Sequence, residues 1–361
     1  MQRQRRRNSS AVTIREVAEL AKVSAMTVSR VINNETNVNE NTRALVQAAI
    51  QQLNYSPNPA ARSLAGSEIF RIGLLYSNPS VAYLSEFLVG ALDESSKTGH
   101  QIVVERTAPN GERAAISKML KGGISGIILP PPLCESKTVL DAVREANLPA
   151  VCAAPGEEST DMASVRIDNY RAARDIAEYL LSVGHRQFGF IKGHPNQTVS
   201  SMRLKGLQDA LQAAKLDPSA IQLEQGYFDY QSGLAAAEHL LTASTRPTAI
   251  FAANDDMAAA TLSVAHRLGL TVPGDVSIAG FDDTLLATNI WPALTTVRQP
   301  IADMGRASVD LLLEEIQRRR SEKKTAPRQL LLPYTLVQRE STAAPHRTGG
   351  QASPRPKRKQ A

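Results

Sequence analysis

The sequence contains little cysteine, few aromatic residues and no long apolar run. Its 361 residues include two cysteines and one tryptophan, and aromatic residues make up 4% of the chain. Cys134 and Cys152 form neither a C-x-x-C pair nor a zinc-ligand spacing, so they predict two reduced core thiols rather than a disulfide-built fold. No segment approaches the roughly 18–20 consecutive apolar residues that a membrane helix needs.

Sequence patterns that carry enzyme chemistry are missing as well. The six histidines are scattered without an HExxH motif, there is no Walker loop, and neither His185 nor His194 has a partnered Ser or Cys nucleophile. We therefore predict that the protein is not an enzyme and holds no metal and no cofactor. The first residues, MQRQRRRNSS, lack the apolar stretch of a secretory signal, so we expect a cytoplasmic protein.

Positive charge is concentrated at the two ends of the chain. The net charge is +6; residues 1–65 carry nine Lys/Arg and four Asp/Glu, and residues 343–361 carry five Lys/Arg and no acid, which leaves −4 for the body. An acidic body with basic ends indicates that one end meets a polyanion. The C-terminal end is rich in Pro, Gly and Lys/Arg without periodicity, so we predict a disordered tail there.

The segment after the basic start carries helix signals. Thr13 and Glu16 form a T-x-x-E capping box, and the helix that follows is expected to span about 14–21. After the tight turn AKVS, Ser24 is placed to cap a second helix of about 25–33.

A third helix is predicted to begin after Asn39. The side chains expected to face a shared core are Val17, Leu20, Ala21, Val28, Val31, Leu45, Val46, Ala49, Ile50 and Leu53. Three short helices with a tight first turn are typical of a helix-turn-helix. From spacing alone, a generic three-helix module stays an alternative.

The second helix of a helix-turn-helix presents its N-terminal residues to base edges in the major groove. Ala25 and Met26 stand at that place, and their small or soft side chains suit contact with thymine methyls. Arg30, one turn further on, suits a hydrogen bond to guanine or to a phosphate. The residues with donors suited to phosphate oxygens are Thr13, Ser24, Thr27, Ser29, Asn33 and Tyr55.

This segment closely resembles the headpiece of the LacI/GalR (lactose-repressor/galactose-repressor) family of bacterial transcription regulators. The shared motifs are T-I-x-x-V-A, V-S-x-x-T-V-S-R-V-I-N, L-N-Y-x-P-N and A-R-S-L. The resemblance implies that Ala25 and Met26 discriminate between operators, and that a hinge becomes a short helix on specific DNA. The DNA contacts it implies in the hinge are Asn58, Ala61 and Leu64, the last as a wedge that unstacks one base step.

From about residue 69 the sequence alternates between strands and helices. Buried strands such as FRIGLLYS and ISGIILP are separated by helices, and the same rhythm begins again at ASVRIDNY and continues to VSIAGFDD. The pattern predicts two βα-repeating halves, and hence two subdomains with parallel sheets. Ligands of such folds bind beyond the carboxyl ends of strands, so the cleft between the halves is the expected small-molecule site.

The family resemblance continues through this region to about residue 342, in motifs such as AANDDMA, GFDD, LTTVRQP and LLLPYTLVQREST. It implies a periplasmic-binding-protein-like core in which Arg203, Asn254 and Asp282 contact a small effector and Phe228 lies against it. Further candidate contacts are Gln299, Tyr83 and Asp168. A guanidinium fork and a carboxylate suit the adjacent hydroxyls of a polyol. Asn254 is equally placed to cap the following helix, and Phe228 to pack in the core.

The predicted organisation has five parts. They are a disordered basic N-terminus (1–11), a helix-turn-helix domain (12–57), a hinge (58–67), an effector-binding and dimerisation core (68–342) and a disordered basic tail (343–361). The core is divided into an N-subdomain of about 68–166 and 299–327 and a C-subdomain of about 167–298 and 328–342.

These features predict a sequence-specific DNA-binding transcriptional regulator that is associated with the nucleoid. We expect a homodimer that represses carbohydrate-utilisation genes from a palindromic double-stranded operator until a sugar-type effector releases it. The alternative is a corepressor-type regulator whose ligand, such as a purine or a phosphorylated sugar, tightens DNA binding. A solute-binding protein of a transport system shares the core fold. Such a protein carries a secretory signal and lacks a headpiece, which is the opposite of what this sequence predicts. The effector, the operator and the sign of the response stay open.

Overall fold

The computed structural model describes residues 12–32, 38–53, 55, 69–108, 110–159, 161–321 and 326–345. The chain separates into two units, Met1–Ile69 and Phe70–Ala361. The predicted basic N-terminus, Asn33, the predicted hinge with its implied DNA contacts Asn58, Ala61 and Leu64, and residues 346–361 of the predicted tail lie outside the described residues.

The described part of the first unit contains three helices with capped starts. They are α1 (Ile14–Leu20), α2 (Ala25–Ile32) and α3 (Glu40–Gln52). The Glu16 carboxylate accepts hydrogen bonds from the backbone N–H of Thr13 at 2.6 Å and from its hydroxyl at 2.9 Å. The backbone N–H of Thr27 donates to the Ser24 hydroxyl at 3.1 Å, and the side chain of Asn39 caps α3. The predicted helix starts are therefore confirmed.

The small core of this unit differs from the predicted one at two leucines. Its buried side chains are Val17, Ala18, Ala21, Val28, Val31, Val46 and Ala49. Leu20 and Leu45 were expected to face inward, but they are 42% and 59% exposed. The reason is the helical period: Val17 and Ala21 lie one turn apart on the buried face of α1, and Leu20 falls beside that face.

The second unit alternates strands and helices, as predicted. Its strands are β1 (Arg71–Tyr76), β2 (Gln101–Arg106), β3 (Gly126–Leu129), β4 (Ala150–Ala153), β5 (Ala163–Arg166), β6 (Phe188–Lys192), β7 (Gln222–Gln225), β8 (Ala249–Ala252), β9 (Ser277–Ala279), β10 (Thr296–Arg298), β11 (Gln329–Leu331) and β12 (Thr335–Val337). Its α-helices are α4 (Val81–Thr98), α5 (Glu112–Lys121), α6 (Lys137–Glu145), α7 (Asn169–Ser182), α8 (Thr198–Ala213), α9 (Tyr230–Thr242), α10 (Asp255–Arg267), α11 (Leu285–Asn289) and α12 (Ile301–Arg320).

The strands form two parallel sheets, one for each subdomain. The larger sheet has the order β11-β5-β4-β3-β1-β2, and the smaller one has the order β7-β6-β8-β9. All pairs within these two sheets are parallel, whereas β10 and β12 pair antiparallel beside the smaller sheet. Strands such as β3, β4 and β8 are buried along their whole length, as parallel strands covered by helices on both faces are.

The chain crosses between the subdomains three times, after β5, after β10 and after β11. The third crossover corrects the boundary predicted at residue 328. Strand β11 pairs in register with β5, so it belongs to the N-subdomain, and the chain reaches the C-subdomain only at β12.

The predicted tail also begins too early. The carbonyl oxygen of Ala343 accepts a hydrogen bond from Nε2 of His185 at 2.9 Å, and the backbone N–H of Ala343 donates to the Ser277 hydroxyl at 3.0 Å. These bonds hold the chain against the C-subdomain beyond residue 342.

Helices α4 and α12 approach each other closely at two glycines. A Cβ at Gly90 would overlap the Ala302 carbonyl oxygen, and a Cβ at Gly305 would overlap the Phe87 carbonyl oxygen. These neighbours are backbone atoms, which cannot rotate away, so only glycine fits at this spacing.

We expect Gly90→Ala to destabilise the second unit by about 1–3 kcal/mol, because the two helices must move apart to admit the methyl group. Urea unfolding followed by circular dichroism measures the effect. Ser96→Ala, an exposed change on the same helix, serves as the control and should leave the transition within about 0.5 kcal/mol. An unchanged midpoint for Gly90→Ala would show that the contact is looser than described.

Candidate functional site

The second helix of the headpiece offers an exposed face at its start. Val28 and Val31 are buried, and they fix α2 against the other two helices. Met26 is 65% exposed, and Arg30 is also exposed, whereas Ala25 is half-buried against the headpiece core. The methionine side chain is flexible and polarizable, which suits a contact surface. The geometry thus leaves the end of α2 that bears Met26 available to a partner.

The polar candidates of the headpiece are partly engaged in local bonds. Thr13 donates to Glu16, and the hydroxyls of Ser24 and Thr27 bond to each other at 2.9 Å. The half-buried Ser29 lies on α2, and the backbone N–H of Tyr55 donates to the carbonyl oxygen of Ile50. Their assignment as phosphate contacts stays a prediction.

In the core, a cavity lies between the two subdomains, beyond the carboxyl ends of both sheets. We call it the inner pocket, and its lining residues are Asn78, Pro79, Ser80, Tyr83, Pro131, Ala154, Asn169, Gln197, Val199, Arg203, Phe228, Asn254, Asp282 and Gln299. The structure thus brings together six of the seven residues predicted to bind an effector. This placement agrees with the general position of ligands in open α/β folds.

Arg203 is the buried cation of the inner pocket. It lies in the second turn of α8, where its Nε and one terminal nitrogen donate to Oδ1 of Asn169 at 3.0 and 2.8 Å. The other terminal nitrogen donates to the carbonyl oxygen of Ala253 at 2.5 Å. The guanidinium carbon lies 3.6 Å from the centroid of the Phe281 ring. Burial lowers the pKa of Arg203 to about 10, with Asp282 opposing that shift, so the side chain stays charged at neutral pH.

Asp282 is the buried acid of the same pocket. It follows β9 with a φ of 121°, which is a rare conformation for a residue other than glycine and typical of a constrained site. The Gln299 side-chain amide donates to its Oδ1 at 2.6 Å. Burial raises the pKa of Asp282 to about 7, while Arg203 and the Gln299 hydrogen bond oppose the rise. The carboxyl group can therefore change its charge near neutral pH.

Asn254 and Phe228 are joined by a hydrogen bond. The Asn254 side-chain oxygen accepts from the backbone N–H of Met257 at 3.1 Å and caps α10, so the helix-capping alternative describes its local role. Its side-chain NH₂ donates to the carbonyl oxygen of Phe228 at 3.1 Å. Phe228 is buried with a φ of 63°, and both residues line the inner pocket.

Tyr83 lines the inner pocket from the N-subdomain. It is 5% exposed, and its hydroxyl lacks a hydrogen-bond partner among the described residues. Burial raises the pKa of Tyr83, so the hydroxyl remains protonated. A buried hydroxyl without a partner is costly, and a ligand that accepts from it or donates to it would remove that cost.

Asp168 does not belong to the inner pocket, which corrects the sequence prediction. Its side chain accepts from the backbone N–H of Arg171 at 2.9 Å and caps α7. The next residue, Asn169, is buried and orients Arg203. The sequence indicates polar residues at this strand end, but it does not show whether Asp168 or Asn169 points into the cleft.

Two hydrogen-bonded contacts hold the subdomains together beside the inner pocket. The Ser80 hydroxyl donates to Oδ2 of Asp256 at 2.6 Å. The Glu135 carboxylate accepts from the backbone N–H groups of Gly156 and Thr198, both at 2.8 Å, and from the Thr198 hydroxyl. We call the second contact the Glu135 clasp. Sequence reasoning missed it, because Glu135 and Thr198 are 63 residues apart in the chain.

With the cleft closed in this way, the inner pocket is small. Its cavity volume is about 40 Å³, which is room for roughly three water molecules. A ligand of the size of a sugar ring therefore requires the subdomains to move apart before it can enter.

Comparison with known protein families identifies both units. The family model of bacterial regulatory proteins, lacI family, matches residues 13–58, and the family model of a periplasmic binding protein-like domain matches residues 177–342. The HTH-type transcriptional repressor PurR of Escherichia coli O1:K1 / APEC is 34% identical over 339 residues, which cover 92% of this chain and 97% of that protein. The chain belongs to the LacI family of bacterial regulatory proteins. The family and fold predicted from the sequence are thereby confirmed.

Solved structures of LacI-family proteins cover nearly the whole chain. The lac repressor dimer bound to operator and the anti-inducer ONPF is 29% identical with a TM-score of 0.71, covering 93% of this chain and all of that one. The complex of the transcriptional regulator CelR with cellobiose is 30% identical with a TM-score of 0.68, covering 91% and 99%. As a LacI-family member, the protein is a DNA-binding transcriptional regulator.

Two further observations concern the part of this LacI-family chain that the structure describes. None of the helices there combines the length and apolar character that crossing a bilayer requires. Within the same residues, no cluster of three or more His, Cys, Asp or Glu side chains is arranged to hold a metal ion.

Proposed function

We propose that this regulator is a homodimeric repressor of carbohydrate-utilisation genes, released from a palindromic operator when a neutral saccharide binds the inner pocket. The headpiece residues Ala25 and Met26 read the operator bases, and the hinge at 58–67 couples the core to DNA. The observation that carries the proposal is the composition of the inner pocket, where one buried guanidinium and one buried carboxyl lie among amides and an aromatic ring. Bacterial operators lie in the nucleoid, so we place the protein there, in the cytoplasm.

The charge balance of the inner pocket favours an uncharged ligand. Among the described residues that line it, only Arg203 and Asp282 carry a charge, and their charges are opposite. A phosphate group would bring a charge of about −2 to the neighbourhood of Asp282. Arg203 already uses three of its five N–H donors on Asn169 and Ala253, so it would compensate only part of that charge. Hydroxyl groups, by contrast, can both donate to the carboxylate and accept from the guanidinium and amides.

Two sets of exposed apolar side chains support the homodimer. Val89 and Leu92, close together on one face of α4, are 55% and 51% exposed. Leu285 and Trp291, in the C-subdomain, are 76% and 78% exposed. Exposed apolar groups of this size mark interaction surfaces, and a two-fold dimer matches the symmetry of a palindrome. Sedimentation velocity of the purified protein measures the oligomeric state directly.

The proposal is tested by operator selection followed by ligand release. Purified protein is mixed with random-sequence duplex DNA near physiological salt, and the retained DNA is sequenced. We expect a symmetric site, whose affinity then falls about 100-fold in the presence of an effective saccharide, a coupling of about 2.7 kcal/mol. Operator affinity that no ligand of the core alters would contradict the proposal.

The same experiment decides the sign of the response. The PurR protein of Escherichia coli is a repressor of comparable length and 34% identity, so a corepressor mechanism is the alternative to consider. In that case the free protein retains no common sequence, and a symmetric site emerges only when ligand is added. The random library is therefore selected with and without each saccharide.

Effector affinity should depend on pH through Asp282. Because burial raises the pKa of Asp282 to about 7, most molecules carry the neutral acid at pH 6 and the carboxylate at pH 8. The carboxylate accepts hydrogen bonds from ligand hydroxyls on both oxygens and does so more strongly than the neutral acid, so affinity should rise with pH. Between pH 6 and pH 8 the Kd should fall about tenfold, in proportion to the ionised fraction. Isothermal titration with the releasing saccharide measures this.

The control for the pH prediction is Asp282→Asn, whose side chain does not titrate. This variant should bind the saccharide weakly and with the same Kd across the range. A wild-type Kd that stays constant from pH 6 to pH 8 would show that Asp282 does not change charge in binding.

A further inference from the structure

A second and larger depression adjoins the inner pocket at the open edge of the cleft. We call it the outer groove. Its N-subdomain wall is formed at the ends of β1 and β2, by Tyr76 and Thr107 among others, and its C-subdomain wall by His194 and Tyr227. The edge strands β2 and β7 lead into it, so it lies on the side away from the three crossovers.

The outer groove is continuous with the inner pocket. Asn78, Pro79 and Gln197 line both cavities. The volume of the outer groove is about 830 Å³, against about 40 Å³ for the inner pocket. Sites for small molecules usually measure roughly 300–1,000 Å³, so the outer groove alone has the room that a sugar ring requires.

An exposed aromatic side chain stands on the C-subdomain wall of this groove. Tyr227 is 45% exposed, and its ring lies edge-on to the His194 ring with the centroids 5.7 Å apart. Its backbone N–H donates to the Ser232 hydroxyl at 2.8 Å, which ties the loop to the first turn of α9. Phe228, the next residue, lines the inner pocket instead. Two consecutive aromatic residues therefore serve two adjoining cavities, and the positive φ of Phe228 makes this turn possible.

The remaining lining of the outer groove combines apolar side chains, such as Val81 and Leu84, with polar ones, and its charged side chains leave a small negative excess. Arg106 supplies a positive charge, Glu112 and Asp229 supply negative charges, and Ser77 and Thr107 supply hydroxyls. Such a surface does not select an anion. It suits a neutral ring that carries many hydroxyls, with an aromatic face available to its C–H groups.

We propose that the outer groove is a second sugar subsite, so that the effector is an oligosaccharide whose first ring occupies the inner pocket and whose next ring lies on Tyr227. This inference rests on the proposed function, because it extends the same ligand beyond the inner pocket. Tyr227 is thus a specificity-determining residue that selects for chain length.

The test measures how affinity changes with chain length. Full-length protein is titrated by calorimetry with matched monosaccharides, disaccharides and trisaccharides of gluco, galacto, manno and xylo configuration. For the configuration that binds, we expect the disaccharide to bind at least about tenfold more tightly than the monosaccharide. Tyr227→Ala should remove that gain and leave the monosaccharide Kd within about twofold. Tyr230→Ala, an exposed tyrosine outside the lining of the groove, is the matched control and should alter neither Kd.

The possible failures are distinguishable. Equal affinities along a matched series, or a Tyr227→Ala variant that binds the disaccharide as tightly as wild type, overturns the second subsite but leaves the proposed function intact. An equal loss for the monosaccharide and the disaccharide in Tyr227→Ala also overturns it, because Tyr227 would then act on the inner pocket. If none of the saccharides binds the wild-type protein, both proposals are overturned.

Discussion

Met26→Gln is expected to change the operator preference of the protein. The ratio of its affinities for two operators that differ at the contacted base should change by about 5- to 150-fold per half-site. Met26 is largely exposed at the start of α2, so the substitution costs the headpiece little stability. A methionine contacts a base through apolar atoms, whereas glutamine can form two hydrogen bonds with adenine in the major groove. One well-matched base contact contributes about 1–3 kcal/mol of discrimination, and a palindrome contains two such half-sites.

Sequencing of the DNA retained from a random duplex library by wild type and variant measures this change. The preferred base should change at one symmetric pair of positions, while the rest of the site is kept. Gln47→Met, at an exposed position of α3, places a methionine elsewhere on the headpiece and should leave the preferred site unaltered. If Met26→Gln instead weakens binding to all sequences alike, Met26 supports the headpiece and does not read bases.

Arg203→Met is expected to weaken effector binding by about 100- to 1,000-fold while the operator affinity of the free protein stays nearly constant. The substitution removes the buried cation and leaves Oδ1 of Asn169 and the carbonyl oxygen of Ala253 without their donor. A hydrogen bond to a charged group contributes about 1.5–3 kcal/mol, so losing two bonds from the guanidinium to the ligand, at the lower end of that range, accounts for the expected loss of about 3–4 kcal/mol. The variant should therefore remain on its operator when the saccharide is added.

Fluorescence anisotropy of labelled operator measures both quantities for Arg203→Met. Lys205→Met lies on the same helix, where the exposed Lys205 side chain pairs with Asp209, and it should respond to saccharide like wild type. Thermal unfolding of each variant shows whether the core still folds. A folded Arg203→Met protein that the saccharide releases normally would remove Arg203 from the binding site.

Local features of this protein could be predicted from the sequence because they depend on neighbouring residues. The capping box at Thr13 and the alternation of strands and helices after residue 69 are of this kind. The residues of the inner pocket were largely found as well, because polar residues at strand ends converge in any parallel sheet.

Features that depend on distant parts of the chain could not be predicted. The choice between Asp168 and Asn169 depends on Arg203, 34 residues further along the chain, which donates to the Asn169 side chain. Strand β11 joins the larger sheet because β5 offers it a free edge. The Glu135 clasp and the continuity of the inner pocket with the outer groove arise from the packing of two subdomains. Neither leaves a local pattern in the sequence.

The three crossovers have a mechanical consequence. They are tied to one another: β11 pairs with β5, β12 pairs with β10, and the backbone N–H of Leu332 donates to the carbonyl oxygen of Arg166 at 2.8 Å. Two bodies joined by one strand can swing and twist in many directions, whereas three connections tied to one another favour rotation about their shared hinge. Ligands of different shape would then produce different amounts of the same movement.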